Sequence, residues 1–587
     1  MFDRSAPQKS VQPAPIEPLS LGGLSFVRSE SIQKVETQRG NKRAWLFGTS
    51  LIIVFVVQSC LFIRSQSFSY DEPVHIAEGL EAWRHHKFEI WNDHPPLVRM
   101  WCTLPLLSSK FQIHSDPLEA GHPISSITPN PPAMAWRSRA MNLVFGVLLA
   151  CLLWDVTSRL FSPEAASFAL ALFVFSPPLI AHYSLVTTDG AATLLIFATA
   201  AFLVRWRQNF TLRRTFLFGL LLGLLLLAKF STPAMFLLAL LWVLLPKEDT
   251  WHKTFGRLNW RRAGALVLIA AVTVWAGYFF HVSHLTLRDG RLSATFPNRG
   301  NFEKPMPSPI NLKLVVPAGE YFDGLHSVVR HNRLGMPAFF LGKVSKQGGI
   351  KSFYPVAIAL KWPATTLLLS ILGLVLLTSK IVRPPDGIWI MSSFAAVYFL
   401  FAIFAHLNIG DRHILPIYPF LLIFAASVWQ AARHWRAGIV VLTIVVALQG
   451  LDTLRYSPDY LSYFNFFVPR SETYKFLTDS NLDWGQGLLA VKDYEANHPS
   501  DNIWLAYFGS VDPAAYGIHA KKLEPGERVN GTVIVSATSL SGQYLVNSDA
   551  YQWVLQYPKT GMLNHSLQIF QVREPVNSRT PVTNHSQ

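Results

Sequence analysis

The sequence predicts an α-helical, polytopic membrane protein with about eleven transmembrane helices and a small C-terminal extracytoplasmic α/β domain. Three observations lead there. Half of the 587 residues are hydrophobic and 15% are charged, and the mean hydropathy is positive, which is outside the range of soluble domains. The apolar residues collect in runs close to the length that crosses hydrocarbon. After Gly450 the composition changes to short runs of strand and helix character.

The elements follow in order. Residues 1–43 are polar, basic and Pro/Ser-containing, and read as a disordered cytoplasmic tail. Trp45 to Ile63 is long enough to span, and without a small-residue cleavage site it should stay as a helix. A long loop, 64–138, precedes spans near 139–156, 164–182, 190–204, 215–229, 232–246 and 263–281. A second long loop, 282–353, precedes spans near 354–378, 388–406, 413–431 and 437–450, with Pro363 as a kink. In 451–587, Ile503 to Phe508, Thr532 to Ser536 and Leu567 to Val572 read as strands, while Glu472 to Leu477 and Leu488 to Glu495 read as helical.

A net charge of +15 raises the question of nucleic acid. The Arg and Lys residues, however, sit in short loops such as Arg205, Arg207, Arg213 and Arg214, which is the positive-inside pattern and not a nucleic-acid face. That bias places the N-terminus in the cytoplasm, and an odd number of spans places residues 451–587 outside the cell membrane. Cys60, Cys102 and Cys151 show no paired spacing, so neither a disulfide framework nor a thiolate metal site is expected.

Polar chemistry concentrates in the stretch Ser69 to Arg99. There Val74, Ala77, Leu80 and Trp83 fall on one stripe of a helix opening at Asp71. By the expected topology, Asp71-Glu72, Asp93-His94, Thr187-Thr188-Asp189-Gly190 and Asn408 to His413 lie at the same side of the bilayer. Their placement at span ends indicates an interfacial cavity. Plainer roles compete: Asp71 and Asp189 as helix N-caps, Arg412 and His413 as boundary anchors.

In order and topology, SYDE after the first span, HPPL (His94 to Leu97), TTDG (Thr187 to Gly190) and NIGDRHILPIYP (Asn408 to Pro419) resemble the GT-C superfamily of membrane glycosyltransferases. Within it the chain is similar to bacterial dolichyl-phosphate-mannose protein mannosyltransferases, glycosyltransferase family 39, and to aminoarabinose transferase-like proteins. The resemblance covers residues 44–450. The tail segments Asp479 to Leu488 and Tyr507 to Ile518 resemble the extracytoplasmic tail of one bacterial branch, and no activity is implied for them.

The resemblance implies a polyprenyl-phosphate sugar donor, possible mannose transfer, and a single displacement with inversion at an acceptor hydroxyl. Asp71 matches the acid of the first-loop motif and Glu72 completes an Asp-Glu pair. With Asp189 they form the expected catalytic set. A guanidinium offers bidentate donors to phosphate, so Arg412 is the expected donor-phosphate ligand, helped by His94 and His413. The proline pair departs from the Glu-Lys context of the aminoarabinose transferases, since Asp93 and His94 stand there, and donor identity does not carry over. Cofactor use stays open between none and a divalent cation, for which Asp71, Asp93 and Asp189, with Glu72 beside them, supply hard oxygen ligands. The acceptor is a protein, a lipid or a glycan. The competing reading is a transporter or lipid-carrier-handling protein, which would place its charges near the midplane within internal repeats.

Overall fold

The computed structural model describes residues 22–88, 93–115, 124–128, 130–245, 259–289, 291–297, 302–305 and 311–573. Each expected span falls on helix. Among the described residues, five stretches are long and apolar enough to cross a membrane alone: Ala44–Ser65, Pro131–Leu160, Thr188–Gln208, Asp411–Ala432 and Arg436–Leu454. Two bent pairs raise the number to as many as seven, and length and composition do not establish the eleven expected. The chain is a multi-pass membrane protein.

Proline explains both bends. Phe353–Lys361 and Ala364–Thr378 meet at 114° across Pro363, the expected kink. Pro163–Val174 and Pro177–Tyr183 meet at 70°, where a single span over 164–182 was expected. The adjacent Pro177 and Pro178 cannot donate backbone hydrogen bonds, so the run restarts as a new helix with Pro at its first positions.

Thr188–Gln208 runs through the centre with most side chains buried. Arg436–Leu454 instead exposes Val440, Val441, Ile444 and Leu448, as a lipid-facing helix does. The first helix starts at Gly22, ahead of the apolar run, and residues 1–21 of the expected tail lie outside the described residues.

The two long loops are structured. The first holds the helices Glu72–His85 and Pro96–Thr103. The span after it begins at Pro131, earlier than expected, because Asn130 caps it by accepting from the Ala133 N–H at 3.2 Å. The second carries a four-stranded antiparallel sheet, with the strands ordered Phe302–Pro305, Arg291–Thr295, Val282–Arg288 and Leu312–Pro317. The helix Gly319–Leu334 follows.

The C-terminal region is α/β, with a mixed five-stranded sheet ordered Lys521–Lys522, Ile503–Ala506, Gly531–Ser536, Leu567–Val572 and Lys559–Leu563. All three expected strands lie in it. Of the two expected helices, Leu488–Asn497 is α-helical, whereas the earlier one is a 3-10 turn over Arg470–Lys475.

Candidate active site

Four charged side chains converge from segments far apart in sequence. Arg412 stands on the 3-10 turn Asp411–Ile417 that leads into Tyr418–Ala432. Its Nη2 donates to Asp71 Oδ2 at 3.1 Å, and its Nη1 lies 3.6 Å from Asp189 Oδ2. Lys229, at the C-cap of Leu212–Ala228, donates to the other oxygen of Asp189. Asp189, Lys229 and Arg412 are buried, while Asp71 keeps 31% of its side chain exposed. Desolvation raises the Asp71 carboxyl above its ordinary range, and Arg412 opposes the rise.

The capping roles do not hold. Asp71 precedes the helix Glu72–His85 but makes no side-chain cap bond. Asp189 lies within the first turn of Thr188–Gln208, behind Thr187, where the helix dipole favours a carboxylate. Arg412 does not snorkel to an aqueous boundary. Its guanidinium lies over the Trp484 ring at 4.0 Å, and its Nε donates to Ser480 Oγ at 3.2 Å.

Glu72 is a correction to the expected catalytic set. Its two oxygens accept from Arg139 at 2.8 and 2.7 Å, from the Val186 N–H at 2.8 Å and from the Ser69 N–H at 2.8 Å. The side chain is fully buried. Four donors fill its lone pairs, so no oxygen is left for a substrate.

The helix Glu72–His85 buries a polar face beside the apolar stripe, of which Leu80 is also buried. His75, Glu78, Gly79 and Ala82 are buried, while Val74, Ala77 and Trp83 are half-buried. Arg99 draws that polar face in, donating to His75 Nδ1 at 3.1 Å, to Asp93 at 2.8 Å and to Glu78. A Cβ at Gly79 would stand 2.2 Å from the Arg99 carbonyl, so glycine permits the close crossing of the two short helices.

His94 reaches Thr188 Oγ1 at 3.4 Å and packs edge-on against His75. Burial, together with Arg99 and Lys229, pushes its imidazole well below its usual titration range, so it is neutral. His413 is half-buried, and its Nε2 finds no hydrogen-bond partner among the described residues.

The divalent-cation set is not assembled. Asp71 and Asp189 face Arg412, Asp93 is turned to Arg99, and no three His, Cys, Asp or Glu side chains converge as metal ligands among the described residues.

Lys229 was missed as a site residue, although its signal was present: a single cation within LLLLAKFSTP, where an ionisable group is costly unless it is paired or used. A cavity of about 1030 Å³ lined by Arg159, Arg205, Arg213 and Arg214 lies at the Gln208 end of the helix that carries Asp189 at its start. Roughly 30 Å of helix separates it from the charged cluster.

The family model for dolichyl-phosphate-mannose-protein mannosyltransferases matches residues 133–276. That segment contains Arg139, Asp189 and Lys229 but neither Asp71 nor Arg412. No curated protein matches the chain. Among solved structures, the S. cerevisiae protein O-mannosyltransferase Pmt1-Pmt2 complex bound to the sugar donor is 10% identical with a TM-score of 0.46, covering 71% of this chain and 90% of that one. ArnT from Cupriavidus metallidurans bound to undecaprenyl phosphate is 10% identical with a TM-score of 0.44, covering 90% and 97%. Its apo state is 11% identical with a TM-score of 0.45, covering 90% and 98%. By the family match and its own motifs, the chain is similar to GT-C membrane glycosyltransferases of the dolichyl-phosphate-mannose-protein mannosyltransferase kind.

Proposed function

We propose that the protein transfers a sugar from a polyprenyl-phosphate donor to a hydroxyl acceptor, with Asp71 as general base and with Arg412 and Lys229 as phosphate ligands. The observation that carries this reading is the convergence of Asp71, Arg412, Asp189 and Lys229 from four separate segments. Two carboxylates and two cations are held together at helix ends, and Asp71 is the member with substantial exposure.

In the transfer, Asp71 accepts the proton of the acceptor hydroxyl as its oxygen bonds to the anomeric carbon. The bond from that carbon to the phosphate oxygen breaks, and the electron pair leaves with the lipid phosphate. Attack and departure on opposite faces invert the centre. Arg412 Nη1 makes no hydrogen bond to Asp189 at 3.6 Å, so its N–H groups are available to a phosphate oxygen. Asp189 holds Lys229 and Arg412 side by side, and Glu72, tied to Arg139, fixes the start of the helix behind Asp71. His94 lines this cluster as a neutral group within reach of Thr188 Oγ1. Acceptor class and sugar are not encoded in these contacts. The N-terminus is assigned to the cytoplasm and residues 451–587 to the extracytoplasmic side, on the loop-charge bias.

The test is transfer of radiolabelled mannose from a polyprenyl-phosphate donor by the purified full-length chain in detergent, with cell-envelope extract as the source of acceptor. Arg412→Ala should lose about 2 to 4 kcal/mol of transition-state stabilisation, roughly thirty- to a thousandfold in rate, and Arg412→Lys should recover part. Normal turnover in the alanine variant would remove Arg412 from the site. Donor translocation across vesicles without transfer would favour the carrier reading.

A further inference from the structure

The C-terminal region grips both members of the Asp71–Arg412 pair. On one side, the strand-like lead-in to Asp71 is held by backbone. The Ser67 N–H donates to the Gln486 carbonyl at 2.9 Å and the Tyr70 N–H to the Trp484 carbonyl at 2.8 Å. Ser67 Oγ donates to the Gly485 carbonyl at 3.0 Å, and Ser510 Oγ to the Tyr70 carbonyl at 2.7 Å. On the other side, the turn carrying Arg412 is clamped by Ser480 and Asn481. Ser480 Oγ donates to the Ile409 carbonyl at 3.0 Å while accepting from Arg412 Nε, and Asn481 Oδ1 accepts from the Asp411 N–H at 3.0 Å. A Cβ on Gly410 would stand 2.0 Å from Ser480 Oγ, so this approach needs glycine. The Trp484 ring covers one face of the guanidinium.

We infer that the segment Thr478 to Gln486 is the alignment element of the transferase site, and that Trp484 is the positioning residue that holds Arg412 for the donor phosphate. The same tryptophan hydrogen-bonds the Asp71 lead-in through its carbonyl and carries the guanidinium on its ring. One residue therefore sets the spacing of the base and the phosphate ligand. A guanidinium is planar and weakly hydrated, so an aromatic face fixes the plane of its donors without consuming an N–H. The C-terminal region is thus part of the reaction centre, and removing the Trp484 ring should act through Arg412.

This rests on the assignment of Arg412 to the donor phosphate, and a double-mutant cycle on the full-length protein keeps the two claims apart. Undecaprenyl phosphate binding and donor-dependent transfer are measured for wild type, Trp484→Ala, Arg412→Ala and the double variant, each with a melting curve. Trp484→Ala is expected to raise the donor KM and weaken undecaprenyl phosphate binding by about tenfold, and Trp484→Phe to stay near wild type. In the Arg412→Ala background, Trp484→Ala is expected to change neither quantity by more than about twofold. Where the alanine variant melts early, Trp484→Leu keeps apolar bulk and removes the ring. If Arg412→Ala has no effect, the phosphate assignment fails and the positioning role falls with it. If Arg412→Ala is impaired and Trp484→Ala adds its full effect on top, the positioning role alone is overturned.

Discussion

Asparagine at position 71 keeps the size and polarity of aspartate and removes its basicity. Asp71→Asn should therefore leave the melting curve nearly unchanged while transfer falls by about a hundred- to ten-thousandfold. The adjacent acid gives the opposite pattern. Glu72→Gln leaves Arg139 buried without its counter-charge and should cost about 3 to 5 kcal/mol of stability, read as a lower melting temperature. Burial holds the Asp71 carboxyl above its ordinary 3.8 and Arg412 pulls it down. Because the base works ionised, kcat/KM should rise with pH through this elevated range, and in Arg412→Ala the rise should move to higher pH. A pH–rate profile with its limb at or below that of a free carboxylate would remove Asp71 as the base. The motif SYDE displayed both acids but not their division of labour. Neighbours on a helix point about 100° apart, so one carboxylate faces the cluster and the other faces Arg139, whose part in the arrangement the sequence does not display.

At the scale of elements, the apolar helices were readable because a bilayer demands continuous apolar length, and Pro363 announced its own bend. The break at Pro177 was hidden by the apolar residues on either side of it. Apolar periodicity does not display the polar face of Glu72–His85, which Arg99 draws inward through His75 and Glu78. The crossing that allows this has a direct test. Gly79→Ala places a methyl 2.2 Å from the Arg99 carbonyl, which should force the helices apart at a cost of about 1 to 3 kcal/mol. Melting and transfer should both suffer, because Asp93 and His94 ride on the displaced segment. An unaltered melting temperature would show that the crossing has slack.

For the whole molecule, orientation rests on loop charge, and reporter fusions after Gly450 should be active only in extracytoplasmic form. The C-terminal region carries its own pH signature. Burial raises Asp483 to about 6 from 3.8, even though Thr538 donates to it. The folded state then holds a proton that the unfolded chain releases near 3.8, so Asp483 contributes a fall in stability of about 3 kcal/mol as pH rises from about 4 to 6, and Asp479, also raised to about 6, acts over the same interval. Asp483→Asn should make that fall shallower in melting curves taken across the interval, by about the share Asp483 carries.

The grip of Ser480, Trp484 and Gln486 on Asp71 and Arg412 also has a meaning in time. A ribosome delivers Asp71 early and residues 478–486 late, so a nascent chain already owns its base, its cations and its bundle while the clamp that aligns them is still unmade. Chains released early by damaged messages would reach the bilayer with Asp71, Asp189, Lys229 and Arg412 present but without the residues that hold Asp71 and Arg412 in register.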